Sequence, residues 1–287
     1  MTGPLAPGRL FLIAGPCVVE DDALNLRIAD HLARLAERVP GGVIYKASFD
    51  KANRSNVAAA RGPGLPGGLD ALARVRAHSG LPVLTDVHLP EQCADVACVV
   101  DVLQIPAFLC RQTDLLLAAG ATGKPVNIKK GQWMHPEGMR GAVEKVSRAQ
   151  RRFEQGPSDS GSSAGAPAAD SGAIAVTERG TFFGYGDLVV DMRAFGRLRE
   201  ACGVPVIFDG THSVQRPGQG ANGASGGARE FIRPLVLAAI GAGADALFLE
   251  THPDPDHAPS DGPNMVPLDQ LDELVDRAVE VWYACRG

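Results

Sequence analysis

Lys46, Lys51 and Arg54 place three cationic heads within nine positions, and Ser48, Asn53, Ser55 and Asn56 add short hydrogen-bonding side chains among them. Point charges, a guanidinium that can bind in bidentate fashion and small donors are what phosphate and carboxylate oxygens require. A solvated basic loop has a similar composition, so lysine usage is the discriminating feature. Six lysines occur in the chain, at 46, 51, 124, 129, 130 and 145, and arginine carries the positive charge elsewhere. Two of the six stand beside the end of a β-branched run, Val43-Ile44, which reads as a buried strand ending near Lys46. This stretch is an anion site by its chemistry.

Two further cations, Lys129 and Arg179, also follow apolar runs, and with Lys46, Lys51 and Arg54 they could neutralise a substrate of several negative charges. Lys130 should face away from Lys129 along a strand and is left out of the set. A second set combines Cys17, His212, Glu250 and Asp261. Thiolate, imidazole and carboxylate together suit a divalent transition ion such as zinc, iron or manganese. Their spacing forms no local metal signature. Cys17 alone could be a buried small hydrophobe, and His252 is a rival ligand to Glu250's neighbourhood. His88 and His257 read as loop histidines. Asp86 and Asp209 serve equally well as helix caps, and Gln104 could satisfy a neighbouring backbone group. Cys17, His212 and Glu250 come from strand ends one, seven and eight and Asp261 from the loop after strand eight, and it is the whole set of polar strand ends that is more informative than its members.

The elements that must position these residues alternate. Strands are expected at Arg9–Ala14, Gly42–Lys46, Pro82–Asp86, Val100–Ile105, Pro125–Lys129, Ala173–Thr177, Pro205–Asp209 and Ala246–Glu250. Helices are expected from Asp21 or Asp22 to about Arg38, at Leu69–His78, from near Pro90, at Asp114–Ala119, Glu137–Phe153, Met192–Ala201, Glu230–Gly241 and Leu268–Ala284. Leu24, Ile28, Leu32 and Leu35 fall on one face of the first helix. Eight alternations favour an α/β (β/α)8 TIM barrel over an open doubly wound sheet. In a barrel the carboxyl ends of the strands open into one mouth, and here they carry Cys17, Lys46, Asp86, Gln104, Lys129, Glu178-Arg179, Asp209 with His212, and Glu250. Residues 1–287 read as one such domain. Residues 155–172, QGPSDSGSSAGAPAADSG, lack any large apolar side chain and read as a disordered insertion in an αβ loop, on the face opposite the mouth. Ser213–Arg229, with five glycines, and Thr251–Pro267, rich in Pro and Asp, are lid candidates.

Bulk properties narrow the function classes. At 287 residues and 45% hydrophobic the chain can bury a full core, and with aromatics at 5% that core must be Ala, Val and Leu. A net charge of −5 argues against a nucleic-acid or membrane-surface partner, while a local basic pocket for a small anion remains compatible with it. The six cysteines include no CxxC pair, and the sequence contains neither a signal segment nor an apolar run of membrane-spanning length. A cytoplasmic protein with reduced thiols is expected.

The motifs AGPC (14–17), KASFDKANRS (46–55), TDVH (85–88), LQIPAFLCRQTDLL (103–116), VNIKKGQ (126–132), ERGTFFGYGDLVVDMR (178–193), FDGTHSVQ (208–215) and ETHPDPDHAPSDGP (250–263) resemble the 3-deoxy-D-manno-octulosonate 8-phosphate synthases. The resemblance spans nearly the whole chain apart from 155–172. The related 3-deoxy-D-arabino-heptulosonate 7-phosphate synthases typically carry Lys-Pro-Arg-Thr/Ser where this chain has Lys51-Ala52-Asn53-Arg54-Ser55, so the alternative substrate, erythrose 4-phosphate, is less favoured. The departures are Trp133, where Phe is common, and the low-complexity stretch.

The resemblance implies condensation of phosphoenolpyruvate with D-arabinose 5-phosphate and water. It implies that Lys46, Lys129 and Arg179 hold phosphoenolpyruvate. It gives Asn53, Arg54 and Ser55 to the pentose phosphate, with Arg54 reaching in from a neighbouring subunit of a homotetramer. Ser48, Lys51, Asp86, Gln104, Pro106, Ala107 and Gln215 line the site by the same comparison, and Lys46, Lys51, Asp86, Lys129, His212 and Asp261 are the catalytic set. Members with Asn at the position of Cys17 are metal-independent and those with Cys are metal-dependent. Cys17, His212, Glu250 and Asp261 are then ligands of a divalent zinc, iron, manganese or cobalt ion, which orients the aldehyde or activates water; the sequence leaves both roles open. Two readings from other classes compete: a Schiff-base aldolase with Lys46 or Lys129 as amine nucleophile, and a non-catalytic sugar-phosphate binder on the same barrel.

Overall fold

The computed structural model describes residues 3–54, 59–155, 173–183, 186–216, 219 and 226–286. The barrel strands are β1 (Phe11–Gly15), β2 (Val43–Lys46), β3 (Val83–Asp86), β4 (Val102–Ile105), β5 (Val126–Lys129), β6 (Ile174–Glu178), β7 (Val206–Asp209) and β8 (Ala246–His252). Each pairs in parallel with the next, and β8 returns to β1 with Phe248 opposite Ile13, which closes the ring. The helices are α1 (Asp22–Ala36), α2 (Leu65–Ser79), α3 (Gln92–Val99), α4 (Thr113–Gly120), α5 (Arg140–Gln155), α6 (Ala194–Cys202), α7 (Ile232–Gly241) and α8 (Leu268–Ala284). This is the (β/α)8 barrel that the alternation predicts. The stretch 155–172, except Gln155, and Ser55 lie outside the described residues.

Strand parity builds the interior. Side chains two apart share a face, and the inward set Phe11, Ile13, Ile44, Leu84, Val102, Ala175, Ile207, Ala246 and Phe248 forms one buried cluster, which Leu5 from the segment before β1 joins. The same parity carried to the strand ends turns Lys46, Asp86, Gln104, Asn127, Lys129, Thr177, Asp209 and Glu250 inward, so an apolar plug is topped by a polar layer. The outward residues pack under the helices. In α1, Ile28, Leu32 and Leu35 are buried in one cluster with the outward strand residues Leu12, Ala14, Val43 and Tyr45. Each such side chain contributes about 1.5–3 kcal/mol, and Leu32→Asp would break the seam. Asp21, not Asp22, is the cap: its carboxylate accepts from Leu24 N at 3.0 Å.

Several boundaries differ from expectation for local reasons. The fifth helix begins at Arg140, because Pro136–Met139 forms a 3-10 turn. The seventh begins at Ile232 behind a 3-10 turn at Arg229–Phe231. Strand β8 runs on to His252, because Thr251 and His252 pair with Val266 and Pro267. Two short antiparallel pairs, Thr181–Phe182 with Leu188–Val189 and Gln215–Arg216 with Gly226–Gly227, lie in the loops after β6 and β7; the alternation pattern gives no signal for them.

Candidate active site

The mouth begins with a close approach between two backbones. A Cβ on Gly15 would sit 2.0 Å from the Lys46 carbonyl oxygen, so β1 and β2 meet there only because residue 15 is glycine. Beyond this point the segments stay paired: Ser48 N donates to Cys17 O at 3.0 Å and Val19 N to Ser48 O at 2.9 Å. Lys46 Nζ also donates to Cys17 O, at 2.9 Å. Cys17 itself has φ 49°, and Asp261 has φ 54°; among the described residues these are the non-glycine residues with positive φ. Such a conformation costs about 1–2 kcal/mol per residue, and at a site it signals that the surroundings dictate the geometry.

Those two residues meet. Cys17 Sγ donates to Asp261 Oδ2 at 3.3 Å. One ligand atom from each of Cys17, Glu250 and Asp261 lies within 4.8 Å of the other two. His212 Nε2 stands 3.6 Å from Glu250 Oε2 and 3.8 Å from Asp261 Oδ2. On its other side, His212 Nδ1 is 2.9 Å from Asp209 Oδ2. A buried carboxylate at Nδ1 favours the N–H there and leaves the Nε2 lone pair facing the cluster, the arrangement that orients metal-binding histidines. Glu250 Oε2 is buried and accepts no hydrogen bond among the described residues. An orphaned carboxylate oxygen among a thiol, an imidazole and a second carboxylate fits a divalent cation. Burial, with the charge of Glu250, pushes the Cys17 thiol above its ordinary range, and a thiolate there needs a cation. The rival His252 is set aside: its Nε2 faces Glu20 at 3.2 Å and its Nδ1 accepts from Asp254 N.

The buried cations are held by carboxylates. Lys46 Nζ lies 2.6 Å from Glu250 Oε1, and Lys51 Nζ lies 4.0 Å from the same atom. Lys129 Nζ lies 2.6 Å from Asp209 Oδ2 and 3.5 Å from the centroid of the Phe248 ring, which forms the floor. Burial draws Lys129 below its ordinary value although Asp209 opposes this. Burial pulls on Lys51 too, but Cys17, Glu250, Asp261 and Asp86 together hold it above its ordinary value. Arg179 donates to Gln215 Oε1 at 2.7 Å and to His212 O at 3.1 Å, and its buried Nε has no partner among the described residues. Gln215 Nε2 continues the chain to Asp261 Oδ1 at 2.8 Å.

On the other side of the mouth the polar groups satisfy one another. Ser48 Oγ and Gln104 Nε2 donate to the two oxygens of Asp86. Asn127 Nδ2 donates to Gln104 Oε1 at 2.9 Å, and Thr177 Oγ1 donates to Asn127 Oδ1 at 2.7 Å. Burial pushes Asp86 up, but Lys46, Lys51 and the Ser48 hydrogen bond hold it well below the carboxylate range, so it is ionised.

Most of the expected residues therefore converge: Cys17, Lys46, Ser48, Lys51, Asp86, Gln104, Lys129, Arg179, His212, Gln215, Glu250 and Asp261 form two connected groups over the barrel mouth. Pro106 and buried Ala107 stand immediately beyond β4, where a 3-10 turn begins. Asn53 is exposed at the rim. Arg54 donates to Ser260 Oγ at 2.8 Å and to Ala60 O within the same chain, beside the Asp261 loop. Glu178 turns outward and pairs with Lys130 at 3.5 Å, which agrees with the exclusion of Lys130. Asn127 and Thr177 belong to the site and were not among the expected residues; Asp209, which the strand-end reading could not tell from a helix cap, joins it through Lys129 and His212. The signal for Asn127 and Thr177 was parity, since they stand two before Lys129 and Arg179, whereas Asp209 stands three before His212, at turn spacing.

Residues 7–282 match the DAHP synthetase I family. Proteins named 2-dehydro-3-deoxyphosphooctonate aldolase are similar over almost the full chain. The one from Rhodopseudomonas palustris (strain TIE-1) is 51% identical over 94% of this chain and 87% of its own length. The one from Nitrobacter winogradskyi is 53% identical over 93% and 86%, and the one from Nitratidesulfovibrio vulgaris (strain DP4) 50% identical over 96% and 92%. The chain therefore belongs to the DAHP synthetase I family, among its 2-dehydro-3-deoxyphosphooctonate aldolases.

Proposed function

We propose that the chain condenses phosphoenolpyruvate with D-arabinose 5-phosphate and water, giving 3-deoxy-D-manno-octulosonate 8-phosphate and inorganic phosphate. What carries the reading is one mouth in which a cation-seeking cluster stands beside the buried heads of Lys46, Lys129 and Arg179, in a chain half identical to relatives so named. Lys46, Lys129 and Arg179 bind the carboxylate and phosphate of the enol phosphate; Asn53, Arg54 and Ser55 grip the pentose phosphate. Carbon 3 of the enol attacks the aldehyde carbon, and the positive charge that develops at carbon 2 is relieved when water adds there. The resulting tetrahedral centre loses phosphate by C–O cleavage. Asp86, ionised and facing Lys46 and Lys51, accepts hydrogen bonds from sugar hydroxyls and disfavours a second anion on its side.

Cys17, His212, Glu250 and Asp261 would hold a divalent transition ion: zinc, iron, manganese or cobalt. When bound, such an ion supplies Lewis acidity toward an oxygen of substrate or water. Lys46 and Lys51 beside Glu250 favour its carboxylate form, and Asp209 behind His212 orients the imidazole. We further propose a homotetramer in the cytoplasm in which Arg54 serves across an interface. We read residues 155–172 as an insertion of the one barrel domain, whose described flanks, Gln155 and Ala173, lie at the barrel end opposite the mouth. No helix of the described residues is long and apolar enough to cross a membrane.

Phosphate release from phosphoenolpyruvate tests the reading. It should depend strictly on added arabinose 5-phosphate and be far weaker with erythrose 4-phosphate. Release with erythrose 4-phosphate alone would point to the heptulosonate reaction. Binding of both substrates without release would leave a sugar-phosphate binder, and an adduct trapped by borohydride would leave a Schiff-base aldolase.

A further inference from the structure

The hydrogen-bonded row on the far side of the mouth has a fixed direction, and two of its members have no role in the reaction outlined above. It crosses five adjacent strands or strand ends: Ser48 after β2, Asp86 on β3, Gln104 on β4, Asn127 on β5 and Thr177 on β6. All five side chains are buried, with Ser48, Asn127 and Thr177 at 0% exposure. An ionised carboxylate can only accept, so Asp86 requires an N–H from Gln104. Gln104 must then present its oxygen to Asn127, which presents its amide nitrogen in return and its own oxygen to Thr177. The Thr177 hydroxyl closes the row as a donor. The Gln104 nitrogen carries a second hydrogen beyond the one given to Asp86, and it has no partner among the described residues.

We infer that Asn127 and Thr177 are positioning residues: they fix which end of the Gln104 amide faces Asp86, and thereby hold the Asp86 carboxylate and a free Gln104 N–H toward the aldose phosphate. This rests on the proposed condensation for its kinetic consequence, though not for the row itself. Without the terminal hydroxyl, Asn127 Oδ1 is a buried acceptor with no donor among the described residues, and a flip of its amide would set its oxygen against Gln104 Oε1. Two of the three cations assigned to phosphoenolpyruvate, Lys129 and Arg179, lie one inward position beyond Asn127 and Thr177, so their contacts with it should survive.

Thr177→Val removes the donor at nearly constant volume, and Thr177→Ser keeps it. With saturating phosphoenolpyruvate, kcat/KM for arabinose 5-phosphate should fall about tenfold in Thr177→Val, with KM for phosphoenolpyruvate unchanged, and Thr177→Ser should stay within about twofold of wild type. Equal losses in both variants, or wild-type constants for both substrates in Thr177→Val, would overturn the inference. A second readout needs no turnover. In the free protein, the side-chain NH2 protons of Gln104 and Asn127 should exchange slowly with solvent by ¹⁵N-edited NMR, and Thr177→Val should accelerate them while Thr177→Ser does not. Rapid exchange in wild type would remove the row, whereas slow exchange in a wild type that releases no phosphate would remove the proposed function and leave the row standing.

Discussion

The two sides of the barrel mouth are built to opposite rules. On the side of β1, β7 and β8, the groups converge without completing one another: Glu250 Oε2 is buried and accepts no hydrogen bond among the described residues, and Cys17 and Asp261 are both held at positive φ. On the side of β2 to β6, the row from Ser48 to Thr177 has a hydroxyl donor at each end and the Asp86 carboxylate as its acceptor, with each link made. A self-satisfied row keeps one shape whether or not a ligand is present. An unsatisfied cluster is stabilised by what binds it, because a buried charge without a partner is costly. Under the proposed function, recognition of hydroxyls and fixed orientation fall to one side and capture of a cation to the other. The buried lysines join the sides: Lys46 pairs with Glu250 and acts on Asp86 by its charge.

Glu250→Gln should break the contrast most severely. It removes the charge that both Lys46 and a cation need while keeping the shape, so turnover and divalent-metal binding should be lost together while the fold is retained by circular dichroism. Metal binding that survives in this variant would take Glu250 out of the ligand set. Asp209→Asn sharpens the same side from behind. It loosens the His212 tautomer and the Lys129 ammonium without touching a ligand, and metal affinity should fall about 10–100-fold. An unchanged affinity by calorimetric titration would mean that Asp209 serves Lys129 alone.

Arg54→Ala acts at the rim, where Arg54 bonds Ser260 beside the Asp261 loop. Loss of a guanidinium from the pentose phosphate alone should raise KM for arabinose 5-phosphate by about tenfold or more and leave that for phosphoenolpyruvate nearly unchanged. Equal effects on both constants would count against its assignment. The smallest effect is expected from deletion of Ser158–Ser171. The chain leaves α5 at Gln155 and re-enters before β6 at Ala173, where Gln150 Nε2 bonds Ala173 O at 3.3 Å, at the barrel end opposite the mouth. Activity should stay within about twofold of wild type; a large loss in a folded, correctly assembled variant would give the stretch a role.

Much of this was legible in the chain, and the residues show why. Hydrophobic runs and their spacing specify β1 to β8 because each strand is buried on both faces, so pattern and fold coincide. Lys46, Asp86, Gln104, Lys129 and Glu250 were found because they end those runs. Asp209 was seen but could not be told from a helix cap, since its partners His212 and Lys129 are fixed by a turn and by a strand 80 residues away. Asn127 and Thr177 sit inside their strands, and a polar residue there looks like an interruption until the neighbouring strands supply its partners. Arg54 bonds Ser260 across 206 positions of sequence, which no local pattern encodes.

The central claim, that the β1, β7 and β8 side is a thiolate-containing cation site, is tested most directly by titrating metal-free protein with cobalt(II). A tight equivalent of cobalt should bind with a thiolate-to-metal charge-transfer band in the near ultraviolet, and Cys17→Asn should lose the band and most of the affinity. Failure of exhaustively stripped, folded wild type to bind cobalt, or a band that persists unchanged in Cys17→Asn, would contradict the Cys17–His212–Glu250–Asp261 site.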